Sequence, residues 1–66
     1  MKNSVKEERL KINMTQQELA DIIAVSRQTI FAIETGKYIP SAILVLKIAR
    51  TFNKKVEDIF NLEKGD

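Results

Sequence analysis

Apolar residues recur along the chain at intervals of three and four, which is the period of helices that bury one face. Interruptions of this pattern divide the chain into five short segments. No segment alternates polar and apolar residues for long enough to predict a strand, and only a few tail residues after Phe60 leave room for one. The predicted helices cover about 4–11, 16–23, 27–35, 42–52 and 56–60.

Residues that cap helix ends support these boundaries. A side chain that can accept a hydrogen bond from free backbone N–H groups precedes each of the first four predicted helices. The first two of these are followed three residues later by glutamate, the pattern of a capping box. Gly36 can adopt the left-handed backbone that ends the third helix, and Asn53 can end the fourth. The predicted N-cap residues are Ser4, Thr15, Ser26 and Ser41.

The apolar faces predict one small core. The stripe on the first helix is thin, with Val5 and Ile12 on one face, whereas the stripe on the fourth helix is wide. In the third helix, Ile30 and Ile33 are predicted to point inward. At 66 residues the chain has room for a single domain, 1–66, with an all-α core built from these faces.

The composition excludes several kinds of chemistry. The chain has no cysteine and no histidine, so disulfides, the usual zinc sites and Ser–His or Cys–His catalysis are excluded. We therefore expect no metal and no cofactor, and a domain this small is not expected to hold an enzyme's cleft or a small-molecule ligand. No apolar run approaches the ~20 residues of a membrane helix, and the start lacks a signal peptide. These observations predict a cytoplasmic protein without a membrane segment.

The charges are distributed unevenly behind a net charge of +2. Residues 41–55 carry four bases and no acid, and residues 1–14 carry four bases and two acids. The tail, 56–66, carries four acids and one base. Basic segments can attract phosphate, although a solvated helix face gives the same pattern.

The second and third predicted helices have the spacing of a helix-turn-helix over about 16–35. In that motif the second helix lies in the major groove of DNA. An arginine can bind guanine and a glutamine can bind adenine, each with two hydrogen bonds, and an aromatic ring can touch a thymine methyl group. The side of the third helix opposite its inward residues holds Arg27, Gln28, Phe31 and Thr35.

Three residues flank this helix where phosphates of the DNA backbone are expected. Gln16 begins the second helix, and the backbone N–H groups at a helix start favour a phosphate. Lys37 and Tyr38 follow the third helix on its other flank. Each of these residues, and each predicted base reader, could instead be an ordinary surface or core residue without a role in DNA binding. The hypothesis therefore depends on their joint placement.

Five stretches of the sequence occur in the order of a known family. The most specific are 14–21, MTQQELAD, then 25–30, VSRQTI, and then 33–41, IETGKYIPS. Two further stretches, 46–49 and 56–60, complete the set. Together they resemble the lambda-repressor-like, or XRE-type, helix-turn-helix family over about residues 5–60. The similarity is greatest to its short stand-alone transcriptional regulators.

The resemblance implies a compact five-helix domain that binds a double-stranded DNA operator, commonly as a homodimer. It implies that Glu34 is structural and joins helices, without contacting DNA. The base-reading residues that it implies are Arg27, Gln28 and Phe31, with Thr29 nearby. The phosphate-binding residues that it implies are Gln16, Ser26, Lys37 and Tyr38.

The chain departs from the family pattern at four positions. Ala24 stands where the turn commonly has glycine, and a positive φ there costs alanine about 1 kcal/mol relative to glycine. Glu8 stands where the first helix usually has leucine. Ile39 and Ile43 stand where the family is often polar. These two isoleucines either extend the core or form an exposed surface for a dimer or another partner.

Two functional hypotheses follow. The first is a sequence-specific repressor that binds a palindromic operator as a homodimer, with helix 27–35 in the major groove. Its candidate dimer interface lies in the C-terminal region, 42–66. The second is an antitoxin or accessory module whose main partner is another protein. The residues predicted to form the dimer interface are Val56, Ile59, Phe60 and Leu62.

Overall fold

The computed structural model describes all 66 residues. It contains five helices and one antiparallel sheet of two short strands. The five-helix, all-α fold class is confirmed, and the sheet is a minor addition. The helices are α1 (Val5–Lys11), α2 (Gln16–Ile23), α3 (Arg27–Glu34), α4 (Ala42–Phe52) and α5 (Val56–Ile59), and the strands are β1 (Lys2–Asn3) and β2 (Phe60–Asn61).

The central helices begin at the predicted caps. The Glu18 N–H donates to Thr15 Oγ1 at 3.0 Å, and the Thr15 N–H donates to Glu18 Oε1 at 2.8 Å, which completes the capping box of α2. The hydroxyls of Ser26 and Ser41 each accept from the backbone N–H three residues further on, at 3.2 and 3.3 Å. Asn53 ends α4 in the left-handed conformation, with φ 54°.

The predicted cap of α1 is wrong. Ser4 precedes the helix, but its side chain makes no capping hydrogen bond. Asn3 Oδ1 instead accepts from the Val5 N–H at 3.1 Å, and Asn3 Nδ2 donates to the carbonyl oxygen of Ile33 at 3.0 Å. One asparagine therefore fixes the start of α1 and ties it to the end of α3.

The sheet joins the two ends of the chain. The strand after α5 lies where the sequence left room for one, but its partner at Lys2–Asn3 was not predicted. Lys2 pairs with Asn61, and Asn3 pairs with Phe60. The α-amino group of Met1 continues the connection, since it lies 3.1 Å from a Glu63 carboxylate oxygen and 2.9 Å from one of Asp66.

The core lies where α2, α3 and α4 pack together and is closed by α1, α5 and β2. Ile12, predicted to share a buried face with Val5, lies beyond the end of α1 and is exposed. None of the five helices is long and apolar enough to cross a membrane. The buried apolar residues are Val5, Leu19, Ala20, Ile23, Ile30, Ile33, Ile48, Ala49, Ile59 and Phe60.

Candidate nucleic-acid interface

The turn between α2 and α3 sets the direction of α3. Ala24 lies in the left-handed region at φ 60° and ψ 50° and ends α2. The Val25 N–H then donates to the carbonyl oxygen of Ala20 at 2.9 Å, which closes the turn before Ser26 caps α3. The positive φ of Ala24 brings the predicted penalty of about 1 kcal/mol relative to glycine.

The outer face of α3 presents the predicted base readers to solvent. Ile30 and Ile33 are fully buried, as predicted, and they fix the rotation of the helix about its axis. Arg27 and Gln28 are exposed in the first turn, and Phe31 is half exposed one turn later. α3 therefore holds a cation, an amide and an aromatic ring on one accessible face.

The two hydroxyl groups at the start of α3 bind each other. Ser26 Oγ and Thr29 Oγ1 lie 3.0 Å apart, and Ser26 Oγ also accepts from the Thr29 N–H. Thr29 is half-buried. At the other end of the helix, Thr35 Oγ1 donates to the carbonyl oxygen of Phe31 at 2.8 Å. The exposed side chains of Arg27 and Gln28, in contrast, make no hydrogen bond within the protein.

The loop after α3 holds Lys37 and Tyr38 beside this face. Gly36 has φ 76°, as predicted for the residue that ends α3. The backbone N–H groups of Lys37 and Tyr38 both donate to the carbonyl oxygen of Ala32, at 2.9 and 3.2 Å. Both side chains are exposed, and Lys37 makes no ion pair. The loop is thus fixed by its backbone, while its side chains point to solvent.

A shallow groove brings two of the predicted contact residues together. It has a volume of about 380 Å³ and lies between α3 and the start of α4. Gln28, predicted to read a base, and Tyr38, predicted to bind phosphate, both line it. Apolar side chains form most of the remaining wall. The lining residues are Val25, Gln28, Thr29, Ala32, Tyr38 and Leu44.

A buried ion pair lies behind this face. Arg9 Nε donates to Glu34 Oε2 at 2.8 Å, and Arg9 Nη2 donates to Glu34 Oε1 at 3.1 Å. Arg9 Nη1 also donates to the carbonyl oxygen of Met14 at 2.8 Å. The hydrogen bond to Glu34 raises the pKa of Arg9, while burial acts in the opposite direction. Glu34 therefore joins α1 to α3, which confirms its predicted structural role.

Gln16 belongs to the same network. Its Nε2 donates to Glu34 Oε1 at 3.1 Å, and its side chain is half-buried. Gln16 was predicted to bind phosphate, and neither its bond to Glu34 nor the role of Arg9 was predicted. A signal for Arg9 was present, because Val5 and Arg9 are four residues apart and share one face of α1. The network thus ties the first residue of α2 to α1 and α3.

Glu8, which stands where the family pattern usually has leucine, forms ion pairs with Lys11 and Lys54. Its carboxylate is buried, and Oε2 accepts from Lys11 Nζ and Lys54 Nζ, both at 3.2 Å. Burial favours the neutral form, but the hydrogen bonds from the two lysines and their charges outweigh it, so the pKa of Glu8 lies below its usual value. The side chain joins α1 to the turn after α4.

The predicted dimer interface needs correction. Ile59 and Phe60 are buried in the core of the protomer itself, so neither can face a second copy. Val56 is half-buried against the core, and only Leu62, at 80% exposed, is free. Ile39 and Ile43 are both exposed, so the interpretation that they extend the core is wrong.

The helices α2 and α3 pack together, and α3 is exposed beside a fixed loop that carries a lysine and a tyrosine. This is the architecture of a DNA-binding domain. The helix-turn-helix family matches residues 5–59, and the chain belongs to this family of transcriptional regulators.

Several relatives match the chain over nearly its whole length. An uncharacterised HTH-type transcriptional regulator of Archaeoglobus fulgidus is 57% identical over 66 residues, which is 100% of this chain and 93% of that protein. Another, of Methanocaldococcus jannaschii, is 56% identical over 66 residues and 100% of both chains. The uncharacterised HTH-type transcriptional regulator YgzD of Bacillus subtilis is 48% identical over 64 residues, or 97% of each chain.

Proposed function

We propose that the chain is a sequence-specific repressor that binds a palindromic operator in double-stranded DNA as a homodimer. The observation that carries the proposal is the outer face of α3. Arg27, Gln28 and Phe31 are accessible there with no partner inside the protein, while Ile30 and Ile33 anchor the helix from behind. Repression requires only that the operator is occupied, so this face suffices for it.

Base recognition is assigned to the first two turns of α3. Arg27 binds guanine and Gln28 binds adenine through paired hydrogen bonds, each discriminating by roughly 1–3 kcal/mol. Phe31 touches a thymine methyl group, for which its ring needs no hydrogen-bond partner. Thr29 lies at the edge of this contact, because its hydroxyl already meets that of Ser26.

Phosphate contacts hold the recognition helix in position. The amide of Gln16 has a second N–H besides the one directed to Glu34, and its backbone N–H lies in the free first turn of α2. Ser26 binds phosphate at the start of α3, and Lys37 and Tyr38 bind phosphates beyond its end. These contacts orient the protein but carry no sequence information. Binding to operator DNA also implies that the protein acts in the cytoplasm.

Selection from a random library of duplex DNA at ~150 mM salt tests the proposal, since weak non-specific binding is suppressed there. We expect enrichment of a palindrome whose half-sites are one helical turn, about 34 Å, apart. The matched control is Gln28→Ala, which should lose preference at one base pair of each half-site. No enrichment by the folded protein would overturn the proposal.

A second candidate function is supported by the exposed side chains of Ile39 and Ile43. An antitoxin or accessory module would use such a surface to bind a different protein. Affinity capture followed by reconstitution with the purified partner tests this function. A stoichiometric complex, together with no preference for any DNA sequence, would favour it over the repressor.

A further inference from the structure

The outer face of α4 is apolar in its first half and basic in its second half. The spacing of three and four residues places Ile43, Leu46, Lys47 and Arg50 on one side of the helix, and all four are exposed. We call these four residues the α4 stripe. Ile43 and Leu46 are 66% and 60% exposed, and Ile39, 62% exposed in the loop before the helix, extends the apolar half.

The protomer cannot bury the apolar half of the α4 stripe by a small rearrangement. The opposite side of α4 carries Ile48 and Ala49, both of which are buried in the core. Rotating α4 to cover Ile43 would therefore expose Ile48 and open the core. Grouped exposed apolar residues of this kind mark interaction surfaces.

The basic half of the α4 stripe has no acid to pair with in the protomer. Lys47 and Arg50 take part in none of the ion pairs of the protein. Residues 41–55 contain no aspartate or glutamate, so no acid follows either base on α4. The α4 stripe therefore presents two positive charges directly beside two apolar side chains.

A groove of about 470 Å³ continues the positive surface beyond Arg50. Lys54, Lys55 and Asp58 also line it. The ammonium group of Lys54 already lies 3.2 Å from a carboxylate oxygen of Glu8, and Asp58 Oδ2 accepts from the Lys55 N–H at 3.3 Å. The side chains of Arg50 and Lys55 form no ion pair, so the groove can receive carboxylates from outside.

We propose that the α4 stripe binds an acidic amphipathic helix of a different protein. The partner's apolar side chains cover Ile43 and Leu46, and its carboxylates pair with Lys47 and Arg50. Ile43 and Arg50 are seven residues, about 10 Å, apart along α4, so two turns of a partner helix span both halves. The inference rests on the second candidate function, for which it names the chemistry of the partner, and it does not require operator binding.

A second copy of the chain fits the α4 stripe poorly. A two-fold axis beside the stripe brings Lys47 and Arg50 close to the same bases of the other copy, and like charges at an interface oppose association. Of the nine acids in the chain, only Glu7 and Glu57 make no side-chain hydrogen bond or ion pair within the protomer. The carboxylates that the stripe needs therefore come from another protein.

A nucleic acid fits only half of the α4 stripe. Its phosphates can pair with Lys47 and Arg50, but they leave Ile43 and Leu46 in water. A protein helix with one apolar and one acidic side covers both halves, and removal of apolar surface from water drives such association. The combination of the two halves thus selects a protein partner.

The first test uses a synthetic peptide as the probe. It is about 18 residues long, which allows a helix in water, with leucines at intervals of three and four and glutamates on the adjoining positions. The matched control peptide has lysine in place of every glutamate. We expect backbone amide shifts confined to α4 and its groove, and at least about tenfold tighter binding of the acidic peptide at low salt. High salt should reduce that difference.

The second test changes each half of the α4 stripe separately. Ile43→Gln should weaken binding of the acidic peptide about tenfold or more, whereas Ile22→Gln, which changes an exposed isoleucine on α2, should not. Arg50→Glu should shift the preference towards the lysine peptide, whereas Lys64→Glu in the tail should leave it unchanged. Thermal melting verifies that each variant is folded, since all four side chains are exposed.

The outcomes separate this inference from the repressor. Unchanged α4 amides at millimolar peptide, or equal binding of the two peptides at low salt, would overturn the α4 stripe as a docking site. Self-association that Ile43→Gln abolishes would overturn it in favour of a second copy, and duplex DNA that shifts the same amides would favour a nucleic acid. Peptide binding without sequence preference on DNA would keep the inference and reject the repressor. An enriched palindrome without peptide binding would do the reverse.

Discussion

The polar side chains on the two sides of α3 differ in whether they have hydrogen-bond partners within the protein. Behind the helix, Arg9, Glu34 and Gln16 are joined by hydrogen bonds of 2.8–3.1 Å. On its outer face, Arg27 and Gln28 are exposed and have no side-chain partner. Buried charges are tolerated when they are paired, because their partners replace water. The inner network therefore fixes the orientation of the helix, and the outer face keeps its hydrogen-bonding capacity for DNA.

The largest expected effect comes from the inner side. Glu34→Ala should destabilise the protein by about 3–5 kcal/mol, because it leaves the buried guanidinium of Arg9 without its acid. Urea denaturation measures the loss. The control is the double variant Arg9→Met/Glu34→Leu, which removes both charges and should lose much less. A single variant as stable as the wild type would show that the pair does not fix the helix.

A smaller effect is expected on the outer side. Gln28→Ala should leave the urea midpoint unchanged, since the side chain is exposed and makes no hydrogen bond within the protein. It should relax recognition at one base pair by roughly 1–3 kcal/mol. Binding to an operator and to its single-base variants measures the change. Unchanged discrimination at every position would remove Gln28 from the interface.

The turn that joins the two helices offers a test of backbone strain. Ala24→Gly should stabilise the protein by about 1 kcal/mol, because glycine adopts a positive φ without a steric penalty. The measurement is again urea denaturation. The control is Ala42→Gly at the first residue of α4, where the same change in a helix should lower the stability. A loss of stability in Ala24→Gly would mean that the strain at φ 60° is negligible.

The loop beside the outer face is expected to act without sequence preference. Lys37→Ala should weaken binding to all duplexes alike and reduce the salt slope by about one unit per protomer, since it removes one phosphate contact. Titrations at several salt concentrations measure the slope. Lys64→Ala, which changes an exposed lysine in the tail, is the matched control. A change in base preference in Lys37→Ala would contradict the assignment to phosphate.

The smallest effect is expected at the ends of the chain, where the α-amino group of Met1 pairs with two carboxylates. Hydrogen bonds to Asp66 and Glu63 raise the pKa of the Met1 α-amino group above its usual 8.0. The stabilisation that these pairs give the folded protein is therefore complete below pH 8.0. It is lost as the pH rises through the raised pKa of the Met1 amino group. Melting temperatures of the 66-residue chain between pH 7 and 10 should fall slightly more than those of Glu63→Gln/Asp66→Asn. Parallel curves would show that the pairs contribute nothing.

The sequence predicts best those parts of the fold whose signals are local. The starts of α2, α3 and α4 follow from Thr15, Ser26 and Ser41, because a cap acts on the N–H groups two or three residues away. The face that α3 exposes follows from Ile30 and Ile33 in the same way. These local signals define most of the candidate site.

The missed features depend on residues distant in the chain. A strand of two residues has no periodicity, so β1 exists only through its pairing with β2. The apolar spacing of Ile59 and Phe60 identifies a face that needs covering, but it does not say whether the protomer or a second copy covers it. The hydrogen bond of Gln16 was missed for the same reason, since its partner Glu34 lies 18 positions away in the chain.

The joining of the chain ends has a consequence for folding kinetics. The pairing of Lys2 with Asn61 closes a loop that contains almost the entire chain. The entropy cost of closing a loop grows with its length, so this contact gains stability only after the helices have shortened the distance. We expect α2 and α3 to meet early and the sheet to form last. Amide hydrogens of the sheet should then exchange before those of α2 and α3, because the last contact to form is the first to open.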